Sequence, residues 1–333
     1  MMKVLIEDQI IKKLVEEYNF SDAAKRLFEL QSQDWPMLKT GFKSLEEVKS
    51  KTFQFDGFKI KAQFNSGRIT STSAKVDPKT IRERKCFLCK ENLPEEQRGI
   101  LHYDNYIILC NPFPIFPMHF TLTYKAHIPQ RIIDTFSNML NLSKDISKYY
   151  SVIYNGPGCG ASAPDHLHFQ AGNKYFMPID DEFHQIKNEY GKEIFEDDNL
   201  SVFAIDDGLR KFVSIESLNK QTIVNTFNIF YKAYSELMNE KQEPMINLVS
   251  YYEEEYGWRI IIFLRAKHRP AIFFAEDKEK MLVSPAAIDL GGICVFPREE
   301  DFDRITKEKI VDIFKEVFVD TVTLKKLSSA IKI

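Results

Sequence analysis

An α+β protein made of two similar halves, each an antiparallel sheet with helices packed on it, behind a helical N-terminal segment, is what the sequence predicts. Three observations carry that expectation. Apolar residues recur at helical spacing over 3–18, 131–150 and 221–238. Apolar and polar residues alternate over 53–64, and strand-like runs recur through 106–124 and 151–170. The order helix, strand, turn, strand occurs twice, over 131–170 and over 221–264.

Each element has its own justification. Val4, Leu5, Ile10, Ile11, Leu14, Val15 and Tyr18 give the first segment an amphipathic helix. A second helix is expected from Ser21, carrying Leu27, Phe28 and Leu30. Ser44 with Glu47 fits a capping box for a short third helix. Phe53, Phe55, Phe58, Ile60 and Phe64 then interleave with polar residues around Asp56-Gly57, which predicts a hairpin. Strands at 106–110 and 119–124 are separated by Pro112, Pro114 and Pro117, residues that central strands exclude, so a structured loop lies between them. After the helix over 131–150, strands at 151–154 and 166–170 flank a glycine-rich turn. In the second half, a helix over 221–238 leads to strands at 246–251 and 258–264 around Gly257. Aligning the repeats sets 259–263 opposite 166–170 without its histidines, so one chemical centre per chain is expected. A last helix spans about 300–318. The expected organisation is a helical segment at 1–52, a catalytic half at 53–190 and a degenerate second half at 191–333.

Composition narrows the function classes. The 333 residues carry 45 Lys+Arg against 48 Asp+Glu, a net charge of −3, and 44% are hydrophobic. That excludes a disordered chain and argues against nucleic-acid partners, which need clustered cations. No apolar run approaches the ~18 residues of a membrane span. Met1-Met2-Lys3-Val4 leads into charged residues, so no secretory signal is expected. Five cysteines in a chain this long make no disulfide framework. A cytoplasmic protein with neither membrane nor nucleic-acid partner is the expectation.

The densest chemical signal is Asn155-Gly156-Pro157-Gly158-Cys159-Gly160-Ala161-Ser162, followed after three residues by His166-Leu167-His168-Phe169-Gln170. On a strand His166, His168 and Gln170 share one face, while Leu167 and Phe169 point into a core. Three polar groups there are costly to bury without partners or a ligand. The preceding glycines permit a nest of backbone N–H groups that binds anions, with the Ser162 hydroxyl beside it. Together they suggest a phosphoryl group held against an imidazole.

Cys86-Phe87-Leu88-Cys89 is a half-site for tetrahedral zinc or a redox dithiol. Its setting, after Arg82, Arg84 and Lys85 and before Pro94, is a loop knuckle and favours zinc, with His127 and His166 as further ligands. Arg68 and Lys75 are candidates for a leaving phosphate. The run Arg265-Ala266-Lys267-His268-Arg269 is either a phosphate contact or, as charge runs more often are, a solvated face. His102, His119 and His184 carry no motif and receive no role, and Cys110, Cys159 and Cys294 read as buried thiols.

The C-x-x-C pair, the later histidine and the distal H-x-H-x-Q resemble the transferase branch of the histidine-triad superfamily, with galactose-1-phosphate uridylyltransferase sharing the zinc set and the catalytic motif. Gly160-Ala161-Ser162 and Gln63-Phe64-Asn65-Ser66-Gly67-Arg68 are more similar to diadenosine tetraphosphate phosphorylase and GDP-hexose phosphorylases. The resemblance covers about 53–175, and Asp165 departs from its usual pattern. It implies that His168 is the nucleophile on a nucleotide α-phosphorus. It implies that Cys86, Cys89, His127 and His166 hold a structural zinc. Gln170 would hydrogen-bond the transferring phosphoryl group, and Asn155 with the backbone of Gly160, Ala161 and Ser162 would cradle it. A glutamine in place of a third histidine goes with transferases rather than hydrolases.

The chemistry is sound by itself. Neutral imidazole is a good nucleophile near pH 7, and a covalent nucleotidyl-histidine splits one displacement into two easier ones. The expected activity is nucleotidyl transfer, as phosphorolysis of a nucleoside-diphosphate sugar or dinucleoside polyphosphate, with phosphate or a sugar phosphate as acceptor. Uridylyl exchange between hexose phosphates is the alternative within the class, and a zinc-stabilised nucleotide-binding regulator the alternative outside it. If the chain assembles, a homodimer is expected.

Overall fold

Backbone hydrogen bonds run through a single ten-stranded antiparallel sheet, with helices on both faces. The computed structural model describes residues 9–74, 76–103, 105–240 and 242–333, so Val4, Leu5 and Lys75 lie outside the described residues. The chain opens with helices α1 (Gln9–Glu17), α2 (Phe20–Asp34) and α3 (Pro36–Lys43). The Asn19 side chain accepts the Asp22 N–H and starts α2, and Pro36 at the first turn starts α3. Ser44 does not cap a helix. Its hydroxyl donates to the Gly41 carbonyl, and 44–47 closes as one 3₁₀ turn.

The predicted hairpin exists as β1 (Lys49–Gln54) and β2 (Lys59–Phe64), turning at Gly57 with φ 71°. It stands outside the large sheet. Its third strand is β13 (Ile293–Phe296), which pairs with β2 in parallel, Ala62 opposite Cys294. Short helices α4 (Ile69–Thr72) and α5 (Pro78–Glu83) follow the hairpin. Next come β3 (Gly99–His102), β4 (Tyr106–Cys110), β5 (His119–Tyr124), α6 (Phe136–Asp145), β6 (Tyr150–Asn155) and β7 (His168–Asn173). The rest of the chain forms α7 (Pro178–Tyr190), β8 (Gly191–Glu196), β9 (Ser201–Asp206), β10 (Lys211–Ser217), α8 (Lys220–Met238), β11 (Ile246–Glu253) and β12 (Gly257–Leu264). After β12 lie α9 (Ala271–Phe274) and α10 (Ala287–Leu290), then β13 and helices α11 (Glu299–Arg304), α12 (Lys307–Val317) and α13 (Thr321–Ala330). The single helix expected at 300–318 is thus two, broken before Thr306, whose hydroxyl caps the second.

The strand order is β3-β4-β5-β7-β6-β11-β12-β10-β9-β8. Read outward from the β6–β11 seam, both sides give the same succession, and α6 and α8 precede the two inner strands. The repeat is therefore a repeat of topology, with β12 as the counterpart of β7. Leu167, just before β7, and Phe169 and Ala171 on it enter the core beneath α2, α6 and α8. The other face of β12 carries Ile261 and Phe263, buried against the three-stranded sheet, α7 and α12. On β7 that same face carries His168 and Gln170. The second half has filled with apolar side chains the place where the first half keeps its chemistry.

The 265–269 run is only in part a solvated face, Ala266 and Lys267 being exposed and His268 and Arg269 half-buried. Arg265 is fully buried, and its guanidinium donates to Asn247 Oδ1 (2.7 Å) and to the carbonyls of Pro285, Lys267, His268 and Val317. One side chain thereby ties the end of β12 to the approach to α10 and the end of α12. Arg265→Met would leave Asn247 Oδ1 and the Pro285 carbonyl buried without their donor, each at about 1–3 kcal/mol, while the Val317 carbonyl keeps the Ala266 N–H (2.8 Å). Urea unfolding of this variant should show a loss of about 3 kcal/mol or more, and a change below about 1 kcal/mol would contradict the assigned role.

Candidate active site

The site forms where β6 and β7 part. Their ladder runs from Tyr150 opposite Asn173 to Ile153 opposite Gln170 and stops there. Beyond it the Gln130 side chain takes over. Its Nε2 donates to the carbonyls of Asn155 and His168 (both 2.9 Å), and its Oε1 accepts the His168 N–H (2.8 Å). Backbone groups the separated strands would leave unpaired are satisfied, as burial demands. The strand therefore begins at His168 rather than at the expected residue 166, because Leu167 donates its N–H to Ile128 and His166 turns away into the cysteine knuckle.

His168 is buried, and its Nδ1–H donates to the His166 carbonyl at 2.8 Å. That bond settles the tautomer: Nε2 carries the free lone pair. Burial pushes the imidazole pKa down to about 4, so the ring is neutral near pH 7. Gln170 is oriented by His119. The Ile115 N–H donates to His119 Nδ1 (3.2 Å), so Nε2 holds the proton and donates it to Gln170 Oε1 (3.0 Å). With its oxygen taken, Gln170 offers its NH₂ to the site. Burial, reinforced by the Arg68 charge, pushes the His119 pKa down to about 3.

Asn155 is set the same way from the other half. Its Oδ1 accepts from Asn247 Nδ2 (2.7 Å) and from the Ala287 N–H (2.9 Å), and Asn247 Oδ1 is in turn held by Arg265. Asn155 therefore also points donors at the site. The turn after it carries Gly160 at φ 97°, where an added Cβ would lie 2.8 Å from the Ala286 methyl. Only glycine fits both the backbone conformation and that contact.

Two cavities meet across these groups. The larger, about 550 Å³, is reached by His168 and Gln170 and walled by Trp35, Met37, Phe87, Leu93 and Phe113. The smaller, about 60 Å³, is lined by Arg68, Asn155, Gly160, Ala161, Ser162 and Gln170, with His268, Arg269 and Asp289 from the second half. Arg68, Ser162 and Gln170 belong to both. The Arg68 Nη1 donates to the Phe113 carbonyl at 2.6 Å, which fixes its guanidinium on the shared wall. Among the described residues, Arg68, Asn155, Gly160, Ala161, Ser162 and Gln170 thus line the smaller cavity and His168 the larger one beside it.

Beside the larger cavity the donor atoms of Cys86, Cys89, His127 and His166 all lie within 4.8 Å of one another. His127 Nδ1 is 3.1 Å from Cys89 Sγ, and His166 Nδ1 is 3.3 Å from Cys86 Sγ. Donors of one tetrahedral zinc, bonded at about 2.0–2.3 Å, stand roughly 3.5 Å apart, so the set fits such an ion. The remaining ring nitrogens face the protein: His166 Nε2 donates to the Tyr124 carbonyl (2.7 Å), and His127 Nε2 lies 3.7 Å from Asp165. Asp165 also pairs with Arg84 at 2.5 Å, which gives the departure from the family pattern a place in the structure. Sequence reasoning missed Gln130, His119 and Asn247, of which only His119 carried a signal, as a polar residue flanked by Met118 and Phe120; Arg269 was weighed only as part of a basic run.

Two family models match the chain. Residues 27–173 match a domain of unknown function (DUF4922), and residues 187–332 match the GDPGP1-like, C-terminal domain. No curated protein matches in sequence. Among solved structures, yeast Ap4A phosphorylase Apa2 is similar over 85% of this chain and 93% of its own, with TM-score 0.54 at 14% identity. The same yeast enzyme in complex with Ap4A is similar over 84% and 94%, with TM-score 0.54 at 13% identity. At such identity the likeness is one of fold, and it spans both halves.

The His119 arrangement has a pH signature. Its folded pKa is depressed, so the unfolded chain binds a proton below about 6.5 that the folded chain refuses, and stability falls as pH falls. Between pH 7.5 and 5 the wild type should lose about 2 kcal/mol of unfolding free energy more than His119→Gln, by urea denaturation at each pH. Equal losses would show that His119 is not held neutral.

Proposed function

We propose, for a chain whose fold is that of the phosphorylase and transferase branch of the histidine-triad superfamily, that it transfers a nucleotidyl group through a covalent bond to His168, with phosphorolysis as the overall reaction. One observation carries the reading: His168 presents a neutral, lone-pair-bearing Nε2 into a nucleoside-sized cavity, beside two amides whose donors are turned toward the same point. A cavity of about 550 Å³ with apolar walls lies within the range for a small organic ligand. The yeast phosphorylase likeness supports a dinucleoside polyphosphate as donor, and a nucleoside-diphosphate sugar is the second donor class of this reading.

In the first step the Nε2 lone pair attacks the α-phosphorus and the bond to the departing phosphate oxygen breaks, that oxygen keeping the electron pair. The Nδ1–H stays donated to the His166 carbonyl and stabilises the positive charge the ring acquires. Gln170 Nε2, Asn155 Nδ2 and the N–H groups around Gly160 stabilise charge on the non-bridging oxygens. In the second step an acceptor oxygen attacks phosphorus, the P–N bond breaks and its pair returns to Nε2. A departing phosphate needs no proton and a phosphate acceptor needs no base. Gln170, which can supply neither, suits this reaction and not hydrolysis.

Incubation of the wild type with ADP-, GDP- and UDP-sugars or diadenosine tetraphosphate, without phosphate, should leave one nucleotidyl group on the peptide containing His168, read by mass spectrometry. His168→Ala should form none and lose at least about 10³-fold in turnover, as removal of a nucleophile does. An unmodified peptide with turnover intact would end this reading.

The same reading includes one structural zinc on Cys86, Cys89, His127 and His166, which would fix the 86–89 loop against the start of β7. Purified protein should contain about one zinc per chain by elemental analysis, and Cys89→Ser should lower both zinc content and Tm. Metal below a tenth of an equivalent in the wild type would exclude the site.

A further inference from the structure

Glu243, between α8 and β11 in the second half, is a buried carboxylate that lines neither cavity. Its Oε2 accepts the Ile132 N–H (2.6 Å), and its Oε1 accepts the Tyr154 hydroxyl (2.5 Å). No cation pairs with it among the described residues, and Arg131, next to Ile132, pairs with Asp134 instead (3.5 Å). A buried carboxylate without a cation costs stability that an apolar side chain would keep. Its two partners show what the fold gains.

Both contacts fall beside the gap between β6 and β7. Ile132 follows Gln130 by two residues, and Gln130 is the amide that spans that gap. Tyr154 precedes Asn155 on β6. The same loop is tied to the approach to β7 by two backbone bonds. The Leu167 N–H donates to the Ile128 carbonyl (2.7 Å), and the Gln130 N–H donates to the Pro164 carbonyl (3.1 Å). Glu243 ties the loop to β6 as those bonds tie it to β7. Gly156 leaves room for this: an added Cβ there would lie 2.8 Å from the Ile246 carbonyl and 3.3 Å from Glu243 Oε1. Resting on the reading of His168 above, we propose that Glu243 is a positioning residue for the transfer step. Through Ile132 and Tyr154 it sets the separation of β6 and β7, and so the place of His168 Nε2 relative to Asn155. A misplacement of about 1 Å costs on the order of 10²-fold in rate. Ile132 and Tyr154 also line neither cavity, so the effect falls on the rate and not on binding.

The test is the rate at which His168 is labelled when excess enzyme meets diadenosine tetraphosphate or a nucleoside-diphosphate sugar without acceptor. Turnover with phosphate gives kcat and donor KM alongside. Glu243→Ala should slow labelling and kcat at least about tenfold and move donor KM less than about twofold, at a temperature where circular dichroism shows it folded. Glu243→Gln keeps an acceptor for Ile132 and turns its NH₂ to the Tyr154 oxygen, so it should recover labelling to within about threefold of the wild type. Tyr154→Phe removes one donor and no carbon. It should slow labelling at least about threefold, and it decides the matter where the alanine variant does not fold. Unchanged labelling in folded Glu243→Ala, or in Tyr154→Phe, overturns the role and makes Glu243 a fastener only, whatever the Tm. A glutamine variant as slow as the alanine one overturns it too, since the charge and not the hydrogen bonds would then matter. A wild type that turns over with His168 unlabelled refutes the covalent reading itself, so the two failures are distinguishable.

Discussion

The site depends on one side chain, Gln130, standing in for the ladder that β6 and β7 give up. If the two strands paired to their ends, Asn155 and His168 would exchange backbone hydrogen bonds and the space between them would close. Instead one buried amide makes three bonds to those backbones and leaves their side chains free for chemistry. A buried amide is well suited to this, since it donates and accepts at once and cannot titrate. The consequences follow outward: His168 is clamped at both its N–H and its carbonyl, its Nδ1 is used up on His166, and the reactive nitrogen has a single orientation. Precision of this kind, on strands rather than loops, is what group transfer needs.

The two halves share the work unequally. The first carries His168, the proposed nucleophile, the cysteine–histidine knuckle and most of the large cavity. The second presents apolar residues on the matching face of β12 and acts from outside, through Arg265, Asn247, the backbone of Ala287, and Arg269. A repeated topology thus serves as one half that carries the candidate site and one half that braces it. The continuous hydrogen bonding across the β6–β11 seam makes the buttress rigid, because Asn247 lies directly opposite Asn155 in register.

Local pattern made some of this legible in the sequence and long-range placement hid the rest. The alternation at His166-Leu167-His168-Phe169-Gln170 told which side chains enter the core, and the structure agrees for Leu167 and Phe169. Strands at Tyr106–Cys110 and His119–Tyr124 were readable because prolines mark their ends. By contrast β13 is a short apolar run whose partner β2 lies more than two hundred residues earlier, and periodicity carries no information on such pairing. Strands β8 to β10 follow α7 without a motif to separate them. Gln130 was invisible, and Arg265 was weighed only as one member of a basic run, for a related reason. A polar residue in a loop or a charge run looks solvated until the fold shows what surrounds it, and Arg265 is fully buried.

Everything above turns on two displacements at phosphorus rather than one. The most direct measurement uses a substrate whose α-phosphorus is a phosphorothioate of single configuration and reads the configuration of the nucleoside product by ³¹P NMR. Each in-line displacement inverts phosphorus, so passage through nucleotidyl-His168 predicts net retention. Net inversion would mean that the acceptor attacks the substrate directly, and the account of His168 would be wrong.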